Sequence, residues 1–303
     1  MKQPTRTKSE TTIGGKPVTL SNPDRVLWPR EGYTKGDLVD YYRSVSKWML
    51  PYLKDRPVSL ERYPSGISKP GFFEKNAPAG LPPWVPTITL EGGGKRAQVR
   101  YVLCNDEATL AYLANLASIT LHVWMSRVAS LDTPDFLLFD LDRGERCSLK
   151  TLATVALAVE AELRREGMRP QPKTTGGSGL HVYVWLRGGY DYARARDFIK
   201  EIALRVQARF PKLVTLERMI AKRPPGSVYL DWVQLGRGKT VVMPFVVRAR
   251  AGAPVSMPLR WADVARMSRS SGLDPAKYFT RWNIKNVPAM LRYSGDPWKS
   301  KAR

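Results

Sequence analysis

The chain is poor in the residues that build crosslinks and soft metal clusters. Its 303 residues include two cysteines, Cys104 and Cys147, and two histidines, His122 and His181. Two thiols cannot make a disulfide framework or a cysteine-rich zinc centre, and they fit a reducing compartment. No run of about 18 apolar residues occurs, so no membrane span is expected. The opening "MKQPTRTKSETTIGGKP" has bases but no apolar stretch, which argues against a secretory signal. Residues 1–12 read as a flexible tail. Acids are scarce as well: 27 Asp and Glu stand against 49 Lys and Arg, a net charge of +22. Such an excess points to a polyanionic partner. Nucleic acid comes before an anionic membrane, because aromatics are plentiful and no basic amphipathic membrane helix stands out.

What is present suffices for a substantial core: 43% of residues are hydrophobic, in a length that fits one large domain or two small ones. In "YTKGDLVDYYRSVSKWML", Thr34 can cap a helix with Asp37 in the capping-box position. Leu38, Tyr41, Tyr42, Val45, Trp48 and Met49 follow at helical spacing, and Pro51 is expected to end the helix. "VSLERYP", "TITL" and "VRYVLC" read as strands, the last two joined by the basic, glycine-rich "EGGGKRAQ". "NDEATLAYLANLASI" reads as a helix capped by Asn105 or Asp106. Ser148 can cap another, with Leu149, Leu152, Val155, Val159 and Leu163 on one face and Gly167 and Pro170 closing it. Residues 193–210 read as a basic amphipathic helix with Phe198, Ile202 and Val206 inside. "HVYVWL", "SVYLDWV" and "TVVMPFVVRAR" read as strands. The class is mixed α/β or α+β, a single module with two lobes and no internal repeat.

The stretch "FLLFDLDRG" carries the sharpest chemical signal. Strand alternation puts Asp140 and Asp142 on one face, about 6–7 Å apart, and Phe139 and Leu141 on the other. Two such charges repel by about 2–3 kcal/mol at an effective dielectric of 20. A divalent cation would turn that repulsion into binding, since Mg²⁺ and Mn²⁺ prefer oxygen ligands. Asp231, a lone acid in the apolar "SVYLDWV", is the candidate third ligand. A lone aspartate could be an ordinary strand-end residue facing water; D-x-D in one apolar run plus a second embedded aspartate favours the metal. Before "HVYVWL" stands "KTTGGSGL", whose glycines and hydroxyls let backbone N–H groups approach phosphates closely. His181 opens that strand and can donate to a phosphate oxygen.

In order along the chain, "SNPDRVLWP", "YTKGDLVDYY", "RPVSLERYPSG", "GFFEKN", "LHVWMSR", "FDLD", "TTGGSGLH", "LDWVQ" and "GKTVV.PFVVRAR" closely resemble the polymerase domain of bacterial and archaeal DNA ligase D. These are the repair primase-polymerases of the archaeo-eukaryotic primase superfamily. The resemblance runs from about Ile13 to Leu291. It implies an α+β, two-lobed primase-polymerase module with an RRM-like catalytic sheet over residues 13–295, followed by a basic tail at 296–303. It implies that Asp140, Asp142 and Asp231 hold two Mn²⁺ or Mg²⁺ ions. Thr175, Ser178, Gly179 and His181 would hold the incoming triphosphate, with His122 and Arg62 beside the nucleotide and Gln234 and Arg248 on sugar and phosphates. Asn22, Arg25 and Lys35 would take a DNA 5′-phosphate, Phe72 and Phe73 would stack on template bases, and the loop from Glu91 to Gln98 would help align two ends.

The implied activity is template-directed nucleotide addition, with a ribonucleotide preference, at gaps and 5′-phosphorylated breaks in non-homologous end joining. Ku and an ATP-dependent ligase are the implied partners, and a prokaryotic cytoplasm, at the nucleoid, the implied location. No ligase motif or nuclease segment is seen, so the chain is expected to be a stand-alone polymerase or one domain of a larger protein. It departs from the family pattern at Glu61–Arg62, where some relatives have Lys, at Leu235 in place of Asn, and at Met243–Val246, where Ala-Pro-Tyr-Ser is common. Two other readings stand beside this one. A nucleic-acid-binding module without catalysis would use the same basic excess. A haloacid-dehalogenase-type phosphatase would use "FDLDRG", although Arg143 replaces the glycine which that signature needs.

Overall fold

A computed structural model describes residues 8–91 and 97–299. The expected end-aligning loop therefore lies largely outside the described residues. The chain divides into two compact units. The first takes the residues up to Trp124, then Thr240–Val255 and Trp282–Ser294; the second takes Met125–Lys239, Ser256–Arg281 and the end from Gly295.

The first unit opens with β1 (Lys8–Ile13) and β2 (Lys16–Ser21), which pair antiparallel across Gly14 and Gly15. Both glycines have positive φ, +54° and +76°, as a two-residue hairpin turn of this kind demands. Residues 8–12 are thus a strand rather than tail, held by Ile13 and Val18, which are buried. Next come β3 (Val26–Trp28), β4 (Tyr33–Thr34) and α1 (Lys35–Leu53). The capping box forms as expected: the Asp37 N–H donates to the Thr34 hydroxyl, and the Thr34 N–H donates to the Asp37 carboxylate. Pro51 sits inside the last turn of α1 instead of ending it, because the Lys54 N–H still closes onto the Leu50 carbonyl.

Next come β5 (Pro57–Arg62), β6 (Phe72–Glu74), β7 (Thr87–Glu91), β8 (Gln98–Leu103), α2 (Glu107–Asn115) and β9 (Ser118–Trp124). Ser118 and Ile119, expected in the helix, belong to β9. The chain reverses at Ala117 (φ +57°), and the β-branched Ile119, Thr120 and Val123 suit a strand.

The second unit holds β10 (Phe136–Arg143), α3 (Leu149–Arg165), β11 (Gln171–Thr174), β12 (Leu180–Trp185), α4 (Tyr192–Arg209), β13 (Val214–Thr215) and β14 (Val228–Asp231). The chain then gives β15 (Thr240–Val242) to the first unit, α5 (Trp261–Arg269) and α6 (Pro275–Thr280) to the second, and α7 (Val287–Ser294) to the first. "TVVMPFVVRAR" is strand only over its first three residues. Pro244 has no N–H to offer a ladder, and Phe245, at φ +68°, turns the backbone left-handed. In α4, Ile199 rather than Phe198 takes the buried position; Phe198 lies half-buried edge-on to Tyr190.

Two sheets matter for the site. In the first unit, strands run β15-β9-β5-β8-β7, with β6 on the side of β5. Val58 pairs with Val123 and Leu60 with Leu121, all buried, so the intervening Ser59, Glu61, Thr120 and His122 share the opposite face. In the second unit the order is β11-β12-β10-β14-β13, with the acid-bearing β10 at the centre. The end of the chain is not a free tail up to Lys299: Asp296 and Trp298 are buried, and the Trp298 indole N–H donates to the Pro172 carbonyl at 2.9 Å.

Candidate active site and phosphate pocket

On the second unit's sheet, Asp140 pairs with Asp231 on β14 and with His181 on β12. Directly paired residues point to the same face, so β12, β10 and β14 present His181, Asp140 and Asp231 as one row. Asp142 stands two residues further along that face, opposite Tyr229. The His181 Nε2 lies 3.4 Å from the Asp140 carboxylate. Asp231 accepts the Val233 N–H at 2.9 Å.

Burial first, and the Asp140 carboxylate after it, push Asp142 up to about 7; Arg223 opposes the rise and Asp231 adds to it. Tyr229 is pushed up to about 12 by burial and by Asp231. Arg223 stacks on the Tyr229 ring, 3.6 Å from its centroid. Sequence reasoning missed Tyr229 as a member of this surface and left the place of Arg223 relative to Asp231 open. The alternation Tyr229–Asp231 was visible, but the cation arrives from a separate loop across Pro224 and Pro225.

The β11–β12 hairpin places the other residues expected around the triphosphate. The Thr175 hydroxyl accepts the N–H groups of Gly177 and Gly179, so it fastens the loop from within. A Cβ on Gly179 would stand 2.5 Å from the Leu141 carbonyl oxygen, so the loop lies directly against the acid strand. Ser178 and Gln234 are half-buried on this unit.

The three carboxylates supply hard oxygen donors, and the raised Asp142 marks surplus negative charge, so the donor set suits a divalent cation. In their present rotamers they do not converge: among the described residues, no three His, Cys, Asp or Glu side chains surround a common ion position.

On the first unit's sheet, the His122 Nε2 lies 3.0 Å from Glu61, which also accepts the Tyr63 hydroxyl at 2.8 Å. Burial alone would raise Glu61, but these two hydrogen bonds, with the charges of His122 and Arg248, bring it down to about 2. Burial keeps His122 below the ordinary imidazole range, with Glu61 opposing. This pairing assigns the ring proton to Nε2 and leaves Nδ1 as the acceptor. Phe73 packs at a tilt of 56° against His122, with centroids 5.1 Å apart, while Phe72 lies on the other face under Arg62. Both phenylalanines are exposed, 46% and 61%, so neither is core.

Asn22, Arg25 and Lys35 line one cavity of about 290 Å³ in the first unit. Asn22 takes a left-handed turn (φ +46°), and the Lys35 N–H donates to the Arg25 carbonyl, which brings the turn onto the start of α1. Burial, and then Arg25, bring Lys35 down to about 8. Its ammonium donates to the Ser21 hydroxyl at 3.1 Å.

Arg62, expected beside the nucleotide with His122, instead lines this same cavity, held by Glu74 at 2.6 Å and the Leu116 carbonyl. The reason is strand period: Glu61 and Arg62 are adjacent, so only Glu61 can share the His122 face. Phe245 is fully buried against Tyr52. The hydroxyl that the family's tyrosine would add there is therefore missing from a core position.

A mixed α/β fold with this acid row and hairpin defines the class: a nucleotidyltransferase of the polymerase and primase kind. The family model "LigD, primase-polymerase domain" matches residues 34–298, and the chain belongs to that family. It is 34% identical over 253 residues to the multifunctional non-homologous end joining protein LigD of Mycolicibacterium smegmatis, covering 82% of this chain and 32% of the relative. It is 31% identical over 282 residues to the bifunctional LigD of Bacillus subtilis, covering 93% of this chain and 43% of the relative. The chain thus spans 32% and 43% of the length of these two relatives. Among solved structures it is similar to the polymerase domain of Mycobacterium tuberculosis ligase D in complex with DNA. That match has a TM-score of 0.83 and 32% identity, and covers 92% of this chain and 96% of that one. Among the described residues no helix is long and apolar enough to cross a membrane.

Proposed function

We propose that the chain fills gaps and extends 3′ ends at 5′-phosphorylated breaks, as the polymerase of a non-homologous end-joining pathway in a prokaryotic cytoplasm. The observation that carries this is the row Asp231–Asp140–His181 with Asp142 beside it on one sheet face. Asp140, Asp142 and Asp231 would hold two Mn²⁺ or Mg²⁺ ions. When bound, the ions neutralise the transferring phosphoryl group and lower the pKa of the attacking hydroxyl. His181 donates to a phosphate oxygen of the incoming nucleotide, and the hairpin N–H groups that Thr175 leaves open face the same triphosphate. His122, oriented by Glu61, and Arg248 contact sugar and phosphate, with a ribonucleotide preferred. Arg25, Lys35 and Asn22 hold the 5′-phosphate of the downstream strand, and Phe73 supports a template base.

Ku, to hold the broken ends together, and an ATP-dependent ligase, to seal them after filling, are the partners this role implies. The test is extension of a 3′ primer across a gap with a 5′-phosphate, with Mn²⁺, comparing the chain with its Asp140→Ala, Asp142→Ala double variant. Undiminished extension by the variant overturns the mechanism. Equal use of ribo- and deoxyribonucleotides removes the sugar preference alone.

A further inference from the structure

We propose that a groove at the β11 edge of the second unit is a second nucleic-acid site, which takes an unpaired single strand. The cavity measures about 840 Å³ and is lined by Arg164, Arg169 and Arg260, with Trp261 and Trp298 among its walls. No acidic residue lines it. Its volume falls within the range of about 300–1,000 Å³ common for ligand sites, and none of its lining residues belongs to the acid row or the hairpin loop.

Charge and ring chemistry identify the occupant. Among the described residues the exposed Arg169 and Arg260 make no ion pair, so both guanidinium groups can turn to an incoming anion. Arg164 is exposed and pairs at i,i+4 with the half-buried Glu160; helix pairs of that kind contribute little, and its remaining N–H groups add to the same cationic wall. A guanidinium fork matches a phosphodiester bidentately. Trp261 is half-buried, and its indole N–H is spent on the Pro170 carbonyl at 2.8 Å, which fixes the ring plane. A fixed, partly exposed indole among cations is a stacking surface for an unstacked base, which a duplex does not offer.

A peptide strand added to the sheet is disfavoured by the backbone. Pro170 and Pro172 have no N–H. The Pro172 carbonyl already accepts the Leu259 N–H and the Trp298 indole, and the Thr174 N–H is spent on the Met257 carbonyl. The edge has no ladder left to extend, and recognition must come from side chains.

The test uses the whole chain and a fluorescent dT30 oligonucleotide, with binding followed by anisotropy between 50 and 200 mM NaCl. The Arg169→Glu, Arg260→Glu double variant is expected to bind about tenfold more weakly. Its log–log salt slope should be shallower by about 1.4, two phosphate contacts at about 0.7 each for a single strand. The milder Arg169→Gln, Arg260→Gln pair should show the same slope change and guards against a folding defect. Trp261→Ala should weaken dT30 about tenfold with the slope unchanged, the signature of lost stacking. Gap filling with a template gap of one nucleotide should be unaffected in all three, because no overhang reaches the groove. Unchanged affinity and slope in both arginine variants overturns the proposal. So does displacement of the variant-sensitive binding by poly-glutamate at concentrations where unlabelled dT30 does not compete, since the site would then prefer acidic protein. Binding is read without catalysis, so failure here leaves the extension test untouched, and the reverse holds too.

Discussion

Two half-buried carboxylates, each on a sheet face, have been driven in opposite directions. Glu61 in the first unit is brought down to about 2, and Asp142 in the second is pushed up to about 7. Both lose hydration, and burial raises both. What differs is the company. Glu61 accepts from His122 and Tyr63 and lies in the field of Arg248, while Asp142 faces Asp140 and Asp231, with Arg223 opposing them. Glu61 is a finished interaction whose negative charge is already used. Asp142 belongs to a group whose negative charge is unbalanced, which fits the cation-binding role proposed for it. The same contrast separates a positioning device from a reactive surface, and it can be broken experimentally.

The largest effect should come from the second unit. If Asp142 holds a cation as proposed, Asp142→Asn should lower extension by about a thousandfold, the scale of several kcal/mol of transition-state stabilisation. In chelator the same variant should be more stable than the parent, by about 1–3 kcal/mol in urea unfolding, the scale of the relieved repulsion. The sign follows from proton uptake. A folded pKa of about 7 against 3.8 unfolded means the folded state binds more protons, so the parent loses stability as pH rises from about 4 to about 7. The variant's advantage should therefore grow across that window and vanish near pH 4. Adding Mn²⁺ should stabilise the parent and leave the variant nearly unchanged. An Asp142→Asn chain no more stable than its parent at pH 7 would mean that the carboxylates are balanced by something other than a metal.

Gly179→Ala comes next. Its Cβ would lie 2.5 Å from the Leu141 carbonyl, so either the hairpin or the acid strand must move. A cost of about 1–3 kcal/mol is expected, as for overpacking elsewhere, together with reduced extension because Asp140 and Asp142 flank Leu141. Full activity with lowered stability would restrict Gly179 to packing.

Glu61→Gln should act with the opposite sign to Asp142→Asn. The variant should be less stable by about 1–2 kcal/mol at pH 7, the cost of weakening a charge-assisted hydrogen bond in a partly buried site. Here the folded pKa is depressed, so the contribution is complete above the unfolded value near 4.5 and is lost as pH falls toward about 2. Parent and variant should converge in that acid range. With two histidines in the chain, the His122 ring signal can be followed directly by NMR, and it should lose its Nε2–H preference in Glu61→Leu. An unmoved ring would show that Phe73 packing, not Glu61, orients it.

The acid face was legible before the structure because strand period is a local property. Asp140 and Asp142 had to share a face, and Asp231 stood out as charge in an apolar run. The sequence could not tell that Asp231 is paired directly with Asp140, since register is a long-range fact set by how β14 docks. The same local rule was available at Glu61 and Arg62 and would have separated them, yet resemblance to the family's basic residue drew Arg62 to the nucleotide. The Gly14–Gly15 hairpin was equally readable and was overlooked because charged, exposed residues surround it. Met243–Val246 could not be read: a β-rich run is broken by one proline and one left-handed phenylalanine, and no propensity announces the latter. The meeting of Asn22, Arg25 and Lys35 in one cavity likewise depends on a turn closing onto a helix start, which residue spacing alone does not reveal.

That cavity supplies the smallest and most specific prediction. Lys35, brought down to about 8, is only partly charged in free protein at moderately alkaline pH, whereas a bound phosphate favours its ammonium form. A 5′-phosphate is already doubly ionised above pH 7, its second pKa being about 6, so it adds no titration of its own there. The preference for a 5′-phosphorylated over an unphosphorylated gap should thus hold steady below pH 7 and decline as pH rises through 8, by about fivefold at pH 9. Arg25, in the same cavity, sets the floor. Lys35→Arg should abolish the decline, because a guanidinium does not titrate in this range, and Lys35→Gln should give the low preference at every pH. A preference that falls with pH equally in Lys35→Arg would place the titrating group elsewhere and remove Lys35 from the phosphate's direct contacts.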